Sequence, residues 1–242
     1  MRPLDRRSPS LINGAWGQRF MWDGRAASLE DQAPGPIQAP TEMNQPLDRL
    51  IDILSAIPRY LSLFAAAFPG KPITQGAIAD AIATCERTIV STIAPFDAWI
   101  ENDAAAFPQP ARRGFALFNT KARCASCHDG WRLTDNGFQD IGLPDNDEGR
   151  GRLFPHVIKM SHAFKTPGPR EIARRGPYMH DGSLPALEAV VAHYDRGGGG
   201  RPGQSESIAP LGRSPEEQAD IAAFLRTLSS DVRPGFVPDL PR

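Results

Sequence analysis

Cys124 and Cys127 are separated by two residues and His128 follows at once, in Cys124-Ala125-Ser126-Cys127-His128. This is the spacing of covalent c-type haem attachment: two thiols one turn apart add across the two vinyl groups, and the adjoining imidazole reaches the iron. A zinc half-site would require a second Cys/His pair at ligand spacing, and none follows. A redox dithiol would require a surrounding βαβ pattern, whereas Gly/Pro-rich loops flank this motif. The sequence therefore predicts haem c held by Cys124 and Cys127, with His128 on the iron. The third cysteine, Cys85, shares a helical face with Ile78, Ala81, Ile82 and Ile89 and reads as a small core residue. For the other face of the iron the candidates are Tyr194, Met160, Met179, His156, His162 and His180. Tyr194 falls with Leu187, Val190 and Val191 on the apolar side of a helix that ends at the glycines of 197–200.

These residues must be positioned by a chain of 242 residues, 40% hydrophobic, enough for one ordinary domain or two small ones with a real core. With 27 basic and 28 acidic residues, it encodes no broad surface for nucleic acid. No apolar run is long enough to span a membrane, because Asp48, Arg49, Asp52, Pro58 and Arg59 interrupt the greasiest stretch, and residues 1–7 lack the apolar core of a secretory signal. Twenty-two glycines and 24 prolines predict short helices on long ordered loops. Helical spacing and caps place helices over about 46–67 with a break at Pro58, from Thr74 to about Val90, and over 111–122. Ser214-Pro215-Glu216-Glu217 is a capping box that opens a last helix. The stretch from the haem motif to Pro185 is nearly free of periodicity and is expected to wrap the cofactor. No strand pattern rises above noise, so the class is mainly α.

The chain also repeats. Phe20-Met-Trp-Asp-Gly-Arg-Ala-Ala-Ser-Leu-Glu30 aligns with Tyr178-Met-His-Asp-Gly-Ser-Leu-Pro-Ala-Leu-Glu188 at an offset of 158 residues, with five of eleven positions identical. At the same offset Ser8-Pro9 meets Thr166-Pro167, and Pro36 meets Tyr194. A first copy of Cys124 would fall upstream of Met1. The fold expected is a pseudo-twofold pair of c-type cytochrome domains with the first copy truncated: residues 1–108 the remainder of the N-terminal domain with inter-domain helices, residues 109–242 the C-terminal haem domain.

Phe20-Met-Trp-Asp-Gly-Arg-Ala, Gly35-Pro-Ile, Pro40-Thr-Glu-Met43, the haem motif, Phe164-Lys-Thr-Pro and Pro177-Tyr-Met-His-Asp-Gly182 together resemble the di-haem cytochrome c peroxidase and MauG family. The resemblance implies a second haem on a missing N-terminal segment and a periplasmic location. It matches Trp22 to the tryptophan between the haems, and Gln32, Pro36 and Glu42 to the distal pocket of the peroxide-binding haem, where a carboxylate moves protons. The position of Tyr194 holds Met in the peroxidases and Tyr in MauG-like proteins, with Met160 kept as the alternative ligand here; His180 is expected to hydrogen-bond near the haem edge. The family also binds calcium between its haems. Arg7 stands where the family has an Asn ligand, and a guanidinium offers no acceptor, so only the carbonyls of Arg175 and Pro177 remain as candidate ligands. The function implied is that of a MauG-like oxidoreductase, using peroxide, or oxygen with electrons, to oxidise side chains of a partner protein through a high-valent haem. The alternatives are a cytochrome c peroxidase that takes electrons from a donor protein and reduces hydrogen peroxide, or a mono-haem electron carrier if the chain is complete.

Overall fold

The computed structural model describes residues 4–231 and Leu240. Its helices begin where donors and prolines supply a start. The side chain of Thr74 accepts from the Ala77 amide and caps α5 (Gln75–Arg87); Ser214 and Glu217 cap one another's amides at α9 (Pro215–Arg226). Pro58 divides the greasy stretch into α3 (Leu47–Ala56) and α4 (Pro58–Ala67), which meet at 103°. No single helix among the described residues is long and apolar enough to cross a membrane. The helix ahead of the haem motif, α7, spans Gln109–Asn119, and α8 spans Leu187–Asp195. The shorter helices are α1 (Leu29–Gln32), α2 (Pro34–Gln38) and α6 (Pro95–Ile100). The one regular strand pair among the described residues, β1 (Phe138–Gln139) against β2 (Phe164–Lys165), is two residues long and antiparallel, too short to leave an alternating signature.

Two expectations need correction. Helix α5 stops at Arg87 rather than Val90, and Cys85 is exposed. The face that α5 buries carries Ile78, Ala79, Ala83 and Glu86, so the stripe is rotated away from the one drawn through Ala81 and Cys85. Alanine is apolar enough to satisfy either phase, and the contact with α1 decides between them.

The main core lies where α7 crosses α9. Phe96, Phe107, Phe118 and Phe224 pack there with Leu225 and Leu228. Gly114 makes the crossing close, since a Cβ at that position would lie 1.9 Å from the Asp220 carbonyl oxygen. Arg113 grips the Asp220 carboxylate with two 2.7 Å hydrogen bonds beside it.

The repeat is structural as well as sequential. Phe20 bridges to Ala26 and Tyr178 to Leu184; Met21 and Met179 both take positive φ, as do Gly24 and Gly182. The 3-10 turns Gly14–Trp16 and Ile172–Arg174 each follow a left-handed residue, Asn13 or Glu171, and the helices begin at Leu29 and Leu187, all at the same offset. Ser91 donates its amide to the Asn13 side chain as Ser230 does to Glu171, which makes α5 the counterpart of α9. The first copy carries the α3–α4 pair as an addition.

Arg6 ties the two copies together electrostatically. Its guanidinium donates to Asp147 at 2.5 and 2.7 Å and to Asp23 at 2.7 Å. The Arg6 hydrogen bond, ahead of all other influences, holds the Asp147 carboxyl well below its ordinary range. A carboxyl depressed in the fold stabilises it above the unfolded pKa of about 3.9 and loses that contribution as pH falls below it. Melting temperature is therefore expected to drop through the acid limb below about pH 4. Asp147→Asn should lower stability by about 2 kcal/mol at neutral pH and flatten that limb, as read by thermal unfolding across pH.

Candidate haem site

Helix α7 delivers the motif through a short turn. Arg123 takes a left-handed conformation (φ 53°), the chain coils into a 3-10 turn over Cys124–Ser126, and the His128 amide donates to the Cys124 carbonyl at 2.9 Å. The coil sets both sulfurs and the imidazole into the wall of one deep, mostly apolar cavity. His128 Nδ1 lies 2.9 Å from the Leu133 carbonyl oxygen. A carbonyl can only accept, so Nδ1 carries the proton and Nε2 is left as a lone-pair donor. Burial lowers the His128 pKa, which keeps the ring in that neutral form. Burial also pushes the Cys124 thiol up to about 12, and neither motif cysteine is in a disulfide.

Three further elements close the cavity. From α8 come Val190, Val191 and Tyr194. Burial, followed by the nearby Cys124 and Cys127 sulfurs, pushes the Tyr194 phenol above its ordinary pKa. The turn after Tyr178 contributes Met179 and His180, and the N-terminal segment contributes Arg7 and Trp22. Trp22 is fixed at its rim: Nε1 donates to the Arg7 carbonyl at 2.8 Å, and the indole meets the His180 ring edge-on at 6.3 Å. His180 is buried at 3% exposure and stacked on Phe164 at 3.5 Å between centroids. Its Nε2 has no hydrogen-bond partner and stands 3.7 Å from Asp145 Oδ2; desolvation lowers its pKa. Asp145, His180 and Asp181 bring three donor atoms within 4.8 Å of one another.

The remaining sequence candidates lie elsewhere. Met160 ends a 3-10 turn outside the cavity, His162 is hydrogen-bonded to the Asp147 carbonyl, and His156 is exposed. Gln32, Pro36 and Glu42 form no part of this cavity. Gln32 is buried at the end of α1 with Oε1 unpartnered, Pro36 is half-buried in α2 and Glu42 is exposed. Arg175 is half-buried at the cavity edge and Pro177 is exposed. Phe164 stands in one of the family motifs, but its role emerges only here: its ring stacks on His180. Its signal was the alignment that puts Phe164 opposite Arg6, a residue equally central to the seam.

Two free thiols, an imidazole with an open Nε2 and a phenol on one apolar cavity fit haem c: the thiols for its vinyl groups, His128 and Tyr194 for its iron. The fold and site define a c-type cytochrome module repeated about a pseudo-dyad. The chain belongs to the di-haem cytochrome c peroxidase family. Residues 1–105 match the family model described as di-haem cytochrome c peroxidase, and residues 111–229 match that of cytochrome c. The methylamine utilization protein MauG of Methylorubrum extorquens is 49% identical over 244 residues, covering 100% of this chain and 69% of that protein. The cytochrome c551 peroxidase of Pseudomonas aeruginosa is 31% identical, covering 98% of this chain and 68% of that protein. Among solved structures, a MauG-like protein associated with microbial copper homeostasis superimposes with a TM-score of 0.86 at 26% identity, covering 94% of this chain and 76% of that one. Haem c is the cofactor that the family and this cavity share. Replacing Cys124 and Cys127 together by Ala is expected to abolish covalent haem, seen as the loss of one haem in intact mass and in a pyridine haemochrome assay.

Proposed function

We propose that this chain belongs to a MauG-like di-haem oxidoreductase that oxidises side chains of a partner protein. Its homologues and structural relatives support an oxidoreductase of MauG or cytochrome c peroxidase type. The observation that carries the finer reading is Tyr194 in the same cavity wall as His128. Haem c, when bound, supplies the peroxide-dependent redox chemistry; the chain supplies what tunes it. His128 presents a neutral imidazole oriented by Leu133. Tyr194 would hold the iron through its phenol oxygen, and as a tyrosinate it would favour oxidised iron more than a thioether does. The buried walls keep water from both.

Trp22 is the oxidisable side chain of the seam, held in one orientation by Arg7 and His180, and we assign it the relay between the two redox sites. Gln32, Pro36 and Glu42 belong to the other site. Glu42 is the proton carrier there, Gln32 brings an unsatisfied carbonyl to its edge, and Pro36 adds no donor. Residues 1–108 are the remainder of the N-terminal domain and 109–242 the C-terminal haem domain. The counterpart helices support this division: α5 matches α9, but among the described residues no helix crosses α5 as α7 crosses α9. The di-haem relatives support a second haem beside α5, and a periplasmic location fits covalent haem c attachment. Hydrogen peroxide is the small substrate.

A second reading, a cytochrome c peroxidase fed by an electron-donor protein, is favoured by Met179, whose thioether also lines the cavity. Spectra of the haem-loaded protein separate the two. Tyr194→Phe should keep its haem content while a low-spin six-coordinate spectrum becomes high-spin or water-ligated, and Met179→Leu should leave the spectrum unchanged. The reverse pattern would transfer the ligand role to Met179 and the function to the peroxidase. Trp22→Phe keeps most of the apolar volume but not the low oxidation potential. It is expected to leave both haem spectra intact and slow oxidation of the partner roughly tenfold, about 1.4 kcal/mol in barrier, in single-turnover kinetics.

A further inference from the structure

Arg7 and Lys165 occupy the same position in the two copies of the repeat, and the structure crosses them over. The Arg7 amide donates to the His180 carbonyl and the Lys165 amide to the Trp22 carbonyl, each at 2.8 Å, and Trp22 and His180 are themselves repeat counterparts. The side chains then continue across the seam in the same sense. Arg7 Nη1 donates to the Arg175 carbonyl at 2.5 Å, and Lys165 Nζ donates to the Arg19 carbonyl at 2.6 Å. Neither basic group has a carboxylate partner among the described ion pairs, although five other arginines do. Each cation is held by the opposite copy's backbone, and Lys165 Nζ also lies 5.6 Å from the centroid of the Phe20 ring. Burial lowers the Lys165 amine to about 8, as expected of a cation without a counter-charge.

This arrangement does not fit the calcium ion that the family resemblance implies. A hard divalent cation needs six or more oxygen donors at 2.3–2.6 Å. Here the Asn-type side-chain donor is replaced by a guanidinium, which only donates. The Arg175 carbonyl is already taken up by that guanidinium. A calcium ion beside the same oxygen would face the Arg7 charge at close range, with the half-buried Arg175 guanidinium as a second repelling charge. The chain therefore keeps the geometry of the seam but fills its cationic place from within.

We propose that the Arg7 guanidinium is the resident cation of the seam between the two copies, holding the Arg175 carbonyl in place of a divalent ion, with Lys165 doing the same on the other side of the dyad. The proposal concerns what joins the two copies; it stands whichever residue ligates the iron and whatever the protein oxidises.

The test uses the full-length, haem-loaded protein, with calcium itself as probe. Elemental analysis should find no stoichiometric calcium, and EGTA should leave the melting temperature and the haem spectrum unchanged. Arg7→Asn should lower the melting temperature by several degrees and bind one calcium ion by calorimetry, with the lost stability restored on binding. Arg7→Lys, which retains one charge, should lose less stability and show no calcium response. One retained calcium per wild-type chain, with stability lost to EGTA, overturns the proposal. So does an Arg7→Asn protein as stable as wild type, or an Arg7→Lys protein that behaves as Arg7→Asn does. If Arg7→Asn does not fold, the wild-type calcium content and the Arg7→Lys response decide the matter.

Discussion

The exchange of backbone hydrogen bonds across the pseudo-dyad, Arg7 to His180 and Lys165 to Trp22, is the constraint on which the rest of the site depends. Each bond joins a segment of one copy to the turn of the other that carries an aromatic ring. Because both acceptors lie in turns with a left-handed residue beside them, at Met21 and Met179, the rings are aimed by backbone geometry and not by side-chain packing alone. Trp22 gains a third restraint from the Arg7 carbonyl, so one residue fixes both the His180 turn and the indole. The ion cluster of Arg6 with Asp23 and Asp147 lies next along the chain and closes the same seam with charge. A seam built this way fixes the orientation of both rings through backbone hydrogen bonds.

The cavity beside the seam has the opposite character. Protein interiors are ordinarily packed to crystal density and leave few buried polar groups unpaired. Here Cys124, His128 and Tyr194 share an apolar wall, each carrying a pKa moved by desolvation, and His180 keeps a bare Nε2 beside them. Burial disfavours the charged form of each group, and the bare His180 Nε2 lacks a hydrogen-bond partner. A planar apolar macrocycle with a central cation and two covalent anchors answers these demands together. The α7–α9 crossing supplies rigidity from the other side: Gly114 removes the side chain that would separate the helices, and the phenylalanine cluster locks the helix from which the motif emerges.

The sequence made the attachment motif legible because its chemistry is local: three residues, one spacing, one turn. The Ser214 cap and the break at Pro58 were legible for the same reason. The repeat was legible as a sparse set of identities, and its meaning lay in those positions being the bridges, left-handed residues and helix starts of the two copies. What could not be read was the phase of a weakly amphipathic helix. In α5, alanines on several faces allowed two burial stripes, and Cys85 was placed in the wrong one. Nor could a sequence show that Phe164 stacks on His180, since that contact depends on two turns brought together by the seam.

The asymmetry of the two copies follows from their helices. In the second copy, Leu187–Asp195 runs unbroken, so Leu187, Val191 and Tyr194 stay in register along one face and the phenol reaches the cavity. In the first copy, the same stretch is divided into α1 and α2 by Pro34, and the position equivalent to Tyr194 is Pro36. Proline offers neither an amide hydrogen nor a donor side chain, and its ring fixes φ, so this helix cannot present a ligand to a metal there. A duplicated scaffold with a donor side chain in one copy and proline in the other gives nearly equal backbones unequal chemistry at the same position.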